Sequence, residues 1–274
     1  MSNRILVTGH TGKTGSRVYT ALMNNHADVR GVSRNSVIPF DWYNEDTWPY
    51  ALTGIDKVYI TFQPDLAVPG ATDIIRRFVR ACRIAGIQHL VLLSGRGEPE
   101  AEACEHLVTK SGMDWTIVRC SFFMQNFSEG FWSDGIISGE LVLPEVATRE
   151  AFVDADDIAA VVVESLTNDR HKGKLYELSG PELLSFNEAV AKIANASGRN
   201  IQFKQVPLET YITVLKENQV QEEIIALIGY LFTTTLDGRN ASVKEDINQV
   251  LDRPAGSFDN YIQNTLAAGL WLKH

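Results

Sequence analysis

Short aliphatic and β-branched runs alternate with longer stretches whose apolar positions recur at helical spacing. Runs at 4–7, 29–33, 57–61, 89–93 and 116–119 read as strands, and the stretches at 13–24, 72–85 and 100–111 read as helices, the last stopped by Gly112. Nearly continuous apolar strands separated by helices predict a parallel sheet covered on both faces. After Arg119 the alternation weakens. An aromatic group (Phe122, Phe123, Phe127, Trp132) precedes a glycine-marked turn at 135–139, followed by a helix at 154–167 and a late strand at 175–179. Beyond that the pattern is helical, at 185–197, 208–231 and 258–272, and Ser185 with Glu188 three residues on forms a capping box. No internal repeat, low-complexity stretch or long linker interrupts the chain.

The first strand runs into Thr8-Gly9-His10-Thr11-Gly12-Lys13-Thr14-Gly15, a glycine-rich turn that opens a helix. Small residues at this spacing allow a tight reversal, close backbone approach to a pyrophosphate and close helix packing. The amides at the helix start then offer partial positive charge. Gly9, Thr11, Gly12, Lys13, Thr14 and Gly15 are therefore candidate dinucleotide contacts, with Lys13 either reaching a phosphate or standing solvated. Gly12-Lys13-Thr14 also imitates the end of a nucleoside-triphosphate loop, but that pattern needs a glycine where Val7 stands.

The end of the second strand distinguishes the dinucleotides. An NAD site places an acid there for the ribose diol, whereas an NADP site uses arginine. This chain reads Val32-Ser33-Arg34-Asn35. Arg34 offers a planar fork for a 2′-phosphate with Ser33 as a second donor, the alternative being an ordinary surface arginine. Phe62 and Gln63, after the third strand, are expected to line the cofactor with their backbone. NADP(H) is the expected cofactor.

Composition narrows the partners. The 274 residues are 45% hydrophobic and 22% charged, with a net charge of −9. That balance suits a globular protein and disfavours nucleic acid, whose phosphates need a clustered basic surface. It favours a small cationic or neutral substrate. No apolar stretch approaches the roughly 20 residues of a membrane span. No basic leader precedes the apolar run Ile5-Leu6-Val7, so a cytoplasmic location is expected and the sequons at Asn126, Asn195 and Asn240 carry no sugar. Cys82, Cys104 and Cys120 are widely spaced and read as free buried thiols. The six histidines lack metal-ligand spacing, so no metal is expected.

With these motifs the chain resembles the NmrA-like group of atypical short-chain dehydrogenases. The resemblance covers roughly residues 4–180 and rests on the loop, on Arg34, and on Phe40-Asp41-Trp42, Thr47-Trp48, Leu92-Leu93-Ser94, Gly112-Met113-Asp114-Trp115 and Phe123-Met124-Gln125-Asn126-Phe127. Within the group, the Gly-Lys-Thr turn and the Asp-Trp and Thr-Trp pairs look most like the festuclavine and agroclavine dehydrogenases of ergot-alkaloid biosynthesis. The resemblance implies a doubly wound parallel Rossmann sheet over residues 1–180. A small, mainly helical substrate lobe, not an independent domain, is expected over 181–274, closing over the cofactor. It also exposes a departure. Where ordinary short-chain dehydrogenases carry Tyr-x-x-x-Lys, this chain has residues near Gly97 and Ala101, and neither donates a proton.

Glu105, further along the same helix, is expected on its surface. Ser94 either meets substrate or the nicotinamide ribose, or ends its strand in a turn. Phe123 and Phe127 either wall a pocket for a flat substrate or pack a core, and Asn126 either contacts substrate or caps a helix. An iminium already carries the positive charge that hydride neutralises, so a complete cofactor site without the tyrosine suits reduction of a small cyclic imine or iminium. A quinone or dye reductase, and a regulatory protein that senses NADP without turnover, fit the same residues.

Overall fold

The computed structural model describes residues 3–271; Leu272, at the expected end of the last helix, and His274 lie outside them. The chain alternates as expected through β1 (Ile5–Thr8), α1 (Lys13–Asn24), β2 (Val29–Val32), α2 (Trp48–Leu52), β3 (Lys57–Ile60), α3 (Ala71–Ala85), β4 (His89–Gly95), α4 (Pro99–Thr109) and β5 (Asp114–Cys120). It continues through α5 (Phe131–Ser138), β6 (Glu140–Pro144), α6 (Ala155–Thr167), β7 (Lys174–Leu178), α7 (Phe186–Ser197) and β8 (Gln202–Val206). The last helices are α8 (Leu208–Glu217), α9 (Glu222–Tyr230), α10 (Asp246–Leu251) and α11 (Phe258–Ala267).

Six parallel strands form one sheet in the order β2-β1-β3-β4-β5-β7. Helices α1 and α6 pack together on one face and α3 and α4 on the other, which buries β1 and β3 completely and explains why they carry no polar alternation. The order reverses beside β1, so the crevice above its C-terminal end is the place where a sheet of this kind takes its ligand.

The chain groups into two compact units. The first comprises Met1–Cys120, Ala155–Leu178 and Asp246–Asp252, and the second Ser121–Asp154, Ser179–Glu245 and Arg253–His274. This grouping does not follow the expected division at residue 180, because the chain leaves the sheet after β5 and returns to it for α6 and β7. The second unit holds a two-stranded parallel sheet, β6 with β8. β8 (QFKQV) has no buried position and does not stand out in the sequence, whereas β6 (ELVLP) is a short apolar run with three buried positions.

Two other expectations are corrected. Gly135 lies inside α5 rather than in a turn; a side chain there would meet the Glu140 carbonyl at 3.0 Å, and only Gly139, at φ +96°, makes the reversal. The helix expected over 208–231 is two helices, broken where Gln219 turns left-handed at φ 57°.

The second unit is held by rings. Phe127 is fully buried and meets Phe152 and Phe258 edge-on, at 5.4 and 5.6 Å between centroids, and Trp132 at a tilt. The Trp271 indole donates to the Phe127 carbonyl at 2.8 Å. Edge-to-face pairs of this kind add about 0.5–1.5 kcal/mol each beyond the area they bury. Of the two readings of the aromatic group, packing is the one realised at Phe127 and Trp132.

Candidate cofactor site

The C-terminal ends of β1 and β3 are stitched by threonines. The Thr8 hydroxyl donates to the Tyr59 carbonyl and accepts from the Thr61 amide, while the Thr61 hydroxyl donates to the Thr8 carbonyl, each at 2.9 Å. The three loop glycines then have different duties. Gly9 takes φ +59°, and a Cβ there would stand 2.4 Å from the Thr61 hydroxyl. At Gly15 a Cβ would come within 2.2 Å of the Gly9 carbonyl, so this glycine lets α1 start directly on the turn. Gly12 is extended, and a Cβ there would meet only the Gln63 amide and the Gly9 carbonyl, both at 3.3 Å. Its missing side chain matters for what approaches from outside.

No side chain caps the α1 N-terminus and no acid stands in its first turn. The cradle therefore fits a pyrophosphate, with backbone amides and helix dipole facing it. Thr11 is exposed at the turn and Lys13 is half-buried, its carbonyl accepting from Arg17 at 2.8 Å. Thr14 is different from expectation. It is buried, and its hydroxyl accepts a 3.0 Å hydrogen bond from Tyr59, so its side chain braces the loop from beneath. Tyr59 is itself fully buried, burial pushes its hydroxyl far above the ordinary tyrosine range, and its proton is engaged by Thr14, away from solvent.

At the end of β2 the Ser33 carbonyl and amide close a turn with Ser36, leaving Ser33 half-buried. Arg34 is exposed, and no hydrogen bond or ion pair to another described residue engages it. The first acid beyond, Asp41, is occupied in accepting from the Tyr43 amide at 3.0 Å. His10, which the sequence pattern does not single out, lies under β2: a Cβ on Gly31 would be 2.7 Å from its ring, and Tyr19 supports it edge-on at 5.5 Å. The only sequence sign of that contact is a glycine inside a strand.

Beyond β3, Phe62 is buried against Trp42, whose indole donates to the Thr61 carbonyl at 3.2 Å. Gln63 is exposed beside Gly12. Further along the same edge, Ser94 on β4 and Arg119 on β5 are register partners, and Glu105 comes down from α4 between them. Glu105 accepts from the Ser94 hydroxyl at 2.6 Å and takes Arg119 in a two-point pair at 2.7 and 2.6 Å. That pair raises the proton affinity of Arg119. The surface role expected for Glu105 is overturned, for the residue is only 4% exposed. Ser94 is committed as a donor to Glu105, and its remaining lone pair can only accept.

The other substrate candidates lie in the second unit. Phe123 and Asn126 are half-buried, the Asn126 amide donating to the Phe123 carbonyl at 3.1 Å in a tight 3-10 turn. Phe127, one residue on, is sealed in the aromatic core. The three thiols are free and buried. No helix among the described residues is long and apolar enough to cross a membrane, and no three His, Cys, Asp or Glu side chains among them converge as metal ligands would.

The model of the NmrA-like family matches residues 1–252. An NAD(P)H azoreductase of Xenophilus azovorans is 29% identical, the match covering 96% of this chain and 98% of that protein. Festuclavine dehydrogenase of Aspergillus fumigatus is 25% identical over 98% of this chain and 99% of its own. In fold the chain is similar to the triphenylmethane reductase of Citrobacter sp. solved with NADP(H), at TM-score 0.79 and 18% identity, covering 96% of this chain and 99% of that one.

Proposed function

Because the chain belongs to the NmrA-like family, we propose that it is an NADPH-dependent reductase of small, electron-poor conjugated acceptors. The observation that carries the reading is Arg34, an exposed guanidinium at the end of β2 that no other described residue engages, beside a glycine cradle with no acid in the first turn of α1. Gly9, Gly12 and Gly15 with the α1 amides hold the pyrophosphate, Arg34 and Ser33 take the 2′-phosphate, and Phe62 and Gln63 flank the cradle. NADPH bound there supplies a hydride.

The acceptor class follows from what surrounds that hydride. Tyr59 is sealed, Gly97 and Ala101 stand where the usual tyrosine and lysine belong, and the Ser94 hydroxyl is engaged as a hydrogen-bond donor to Glu105. Conjugated acceptors that delocalise the incoming electron pair suit such a site, and the proteins it is similar to include an azoreductase and a triphenylmethane reductase. A cyclic iminium, the substrate type favoured by the resemblance to festuclavine dehydrogenase, belongs to the same class.

Steady-state NADPH oxidation against an azo dye, a quinone, a cyclic iminium and a cationic triphenylmethane dye checks the reading. Turnover of one or more of them, faster with NADPH than with NADH, is the expected result. Tight NADPH binding with no turnover across the panel would replace the enzyme by a sensor.

A further inference from the structure

The edge formed by β3 and β4 carries a carboxyl group that the cradle does not use. Glu98 is the N-cap residue of α4, yet its side chain makes no capping bond. It is turned back instead over the end of β4, so closely that a Cβ on Gly95 would lie 2.3–2.5 Å from its carboxyl atoms. A side chain at position 95 would displace it. The residue is 6% exposed, so this acid is held away from water rather than spread on the surface. Asp65, in the loop after β3, is near enough for its charge to act on Glu98 and is itself tied down, accepting from the Ala67 amide at 2.8 Å. Glu98 follows Gly97, the position at which the usual tyrosine acid is missing.

We propose that Glu98, backed by Asp65, is the proton source of this site for acceptors that must gain a proton with the hydride. The proposal rests on the reading of the chain as an NADPH-dependent reductase. When one end of an N=N or quinone bond takes a hydride, the π pair moves to the other end as a developing anion. Glu98 gives its proton there: its O–H bond breaks, an N–H or O–H bond forms, and the carboxylate is reprotonated by water. Acceptor and donor balance as one hydride and one proton added. A cationic dye or iminium needs no such step, since hydride alone neutralises it.

The surroundings keep the proton in place. Burial is the main cause that raises the proton affinity of Glu98, followed by the negative charges of Asp65 and of Glu100 in the first turn of α4. Burial likewise raises that of Asp65. Arg96, the cation nearest in sequence, lies 3.8 Å from Glu177 across the end of the sheet. Two carboxyls so placed cannot both ionise readily, and together they retain a proton where an exposed glutamate would not.

Glu98→Gln preserves shape and removes the proton. Infrared difference spectra of the protein without acceptor should show a protonated carboxyl at pH 7 that Glu98→Gln lacks, and Asp65→Asn should move its titration to lower pH. In turnover, Glu98→Gln should slow azo and quinone reduction by about 10²- to 10⁴-fold, the usual loss for a general acid. It should abolish the decline of those rates at alkaline pH and leave reduction of the cationic dye within a few-fold. NADPH affinity should not move. A fully ionised Glu98 at pH 7, or equal losses on cationic and proton-requiring acceptors, would overturn the proposal alone. A wild type that binds NADPH and reduces nothing would overturn the reductase reading and this proposal with it.

Discussion

The phosphate cradle and the β3–β4 edge sit on the same sheet and are built in opposite ways. The cradle is one unbroken segment, residues 9–15, and works through backbone amides and absent side chains. The edge is assembled from residues far apart in sequence: Asp65 with Glu98, and Ser94 with Glu105 and Arg119. It works through side chains whose chemistry depends on burial. A local device of this kind is fragile to any added atom; an assembled one is fragile to the loss of a partner.

The sharpest contrast is expected inside the cradle. Gly15→Val drives a side chain into the Gly9 carbonyl, 2.2 Å from its Cβ, and should lose both fold stability and NADPH binding. Gly12→Val has an extended backbone to occupy and should melt near wild type while losing NADPH affinity by about 10²- to 10⁴-fold, two charge-assisted hydrogen bonds' worth. Equal melting losses in the two variants would erase the division of labour between the glycines.

Partner loss at the edge comes next. Glu105→Ala leaves Arg119 without its two-point pair and Ser94 without its acceptor, and should destabilise the protein by about 3 kcal/mol in urea titration. Glu102, 3.6 Å from Arg119, offsets part of the loss. NADPH affinity should be spared, since no cradle residue bonds to Glu105.

The opposite end of β4 gives a pH test. His89 is buried there, its Nε2 3.0 Å from the Thr116 hydroxyl. Burial first, then Lys57 and Lys172 against Asp114 and Asp169, brings its pKa from 6.5 down to about 4. Its folded pKa is depressed, so below 6.5 the unfolded chain takes up a proton that the native chain refuses. Stability should therefore fall as pH falls from 6.5 toward 4, by about 1.4 kcal/mol per unit and about 3 kcal/mol in all. The slope should flatten in His89→Gln. An unchanged slope in that variant would assign the acid sensitivity elsewhere.

The smallest effect expected is at Tyr59. Tyr59→Phe removes one buried hydrogen bond to Thr14 and should lower stability by about 1 kcal/mol. It should retain more than about a tenth of turnover, because a buried hydroxyl is no acid. A loss of 100-fold or more with NADPH affinity intact would make it one.

What the sequence discloses follows the same contrast. The cradle, the strand alternation and Arg34 can be read directly, because each is set by neighbours in the chain: glycine spacing, apolar runs, an arginine at a strand end. Glu105 reads as a surface residue because its burial depends on Ser94 and Arg119 descending from two other strands. Glu98 reads as an ordinary residue at the start of a helix, since nothing local shows that Gly95 makes room for it. Thr14 looks like a phosphate contact until Tyr59, 45 positions away, is seen to hold it. β8 escapes notice because a strand with no buried position has no apolar run, β6 because its apolar run is only three residues long, and Phe127 shows its role only with Phe152 and Phe258 around it.

Arg34, which no other described residue engages, is proposed to select the phosphorylated dinucleotide. Calorimetric titration of NADPH and NADH into wild type and Arg34→Ala addresses it most directly. A guanidinium–phosphate pair at about 1.5–3 kcal/mol corresponds to roughly ten- to somewhat over a hundredfold tighter binding of NADPH. Arg34→Ala should remove that preference, leave NADH nearly untouched, and weaken the dependence of NADPH affinity on salt. Equal wild-type affinities, or a loss shared equally by both cofactors, would contradict the claim.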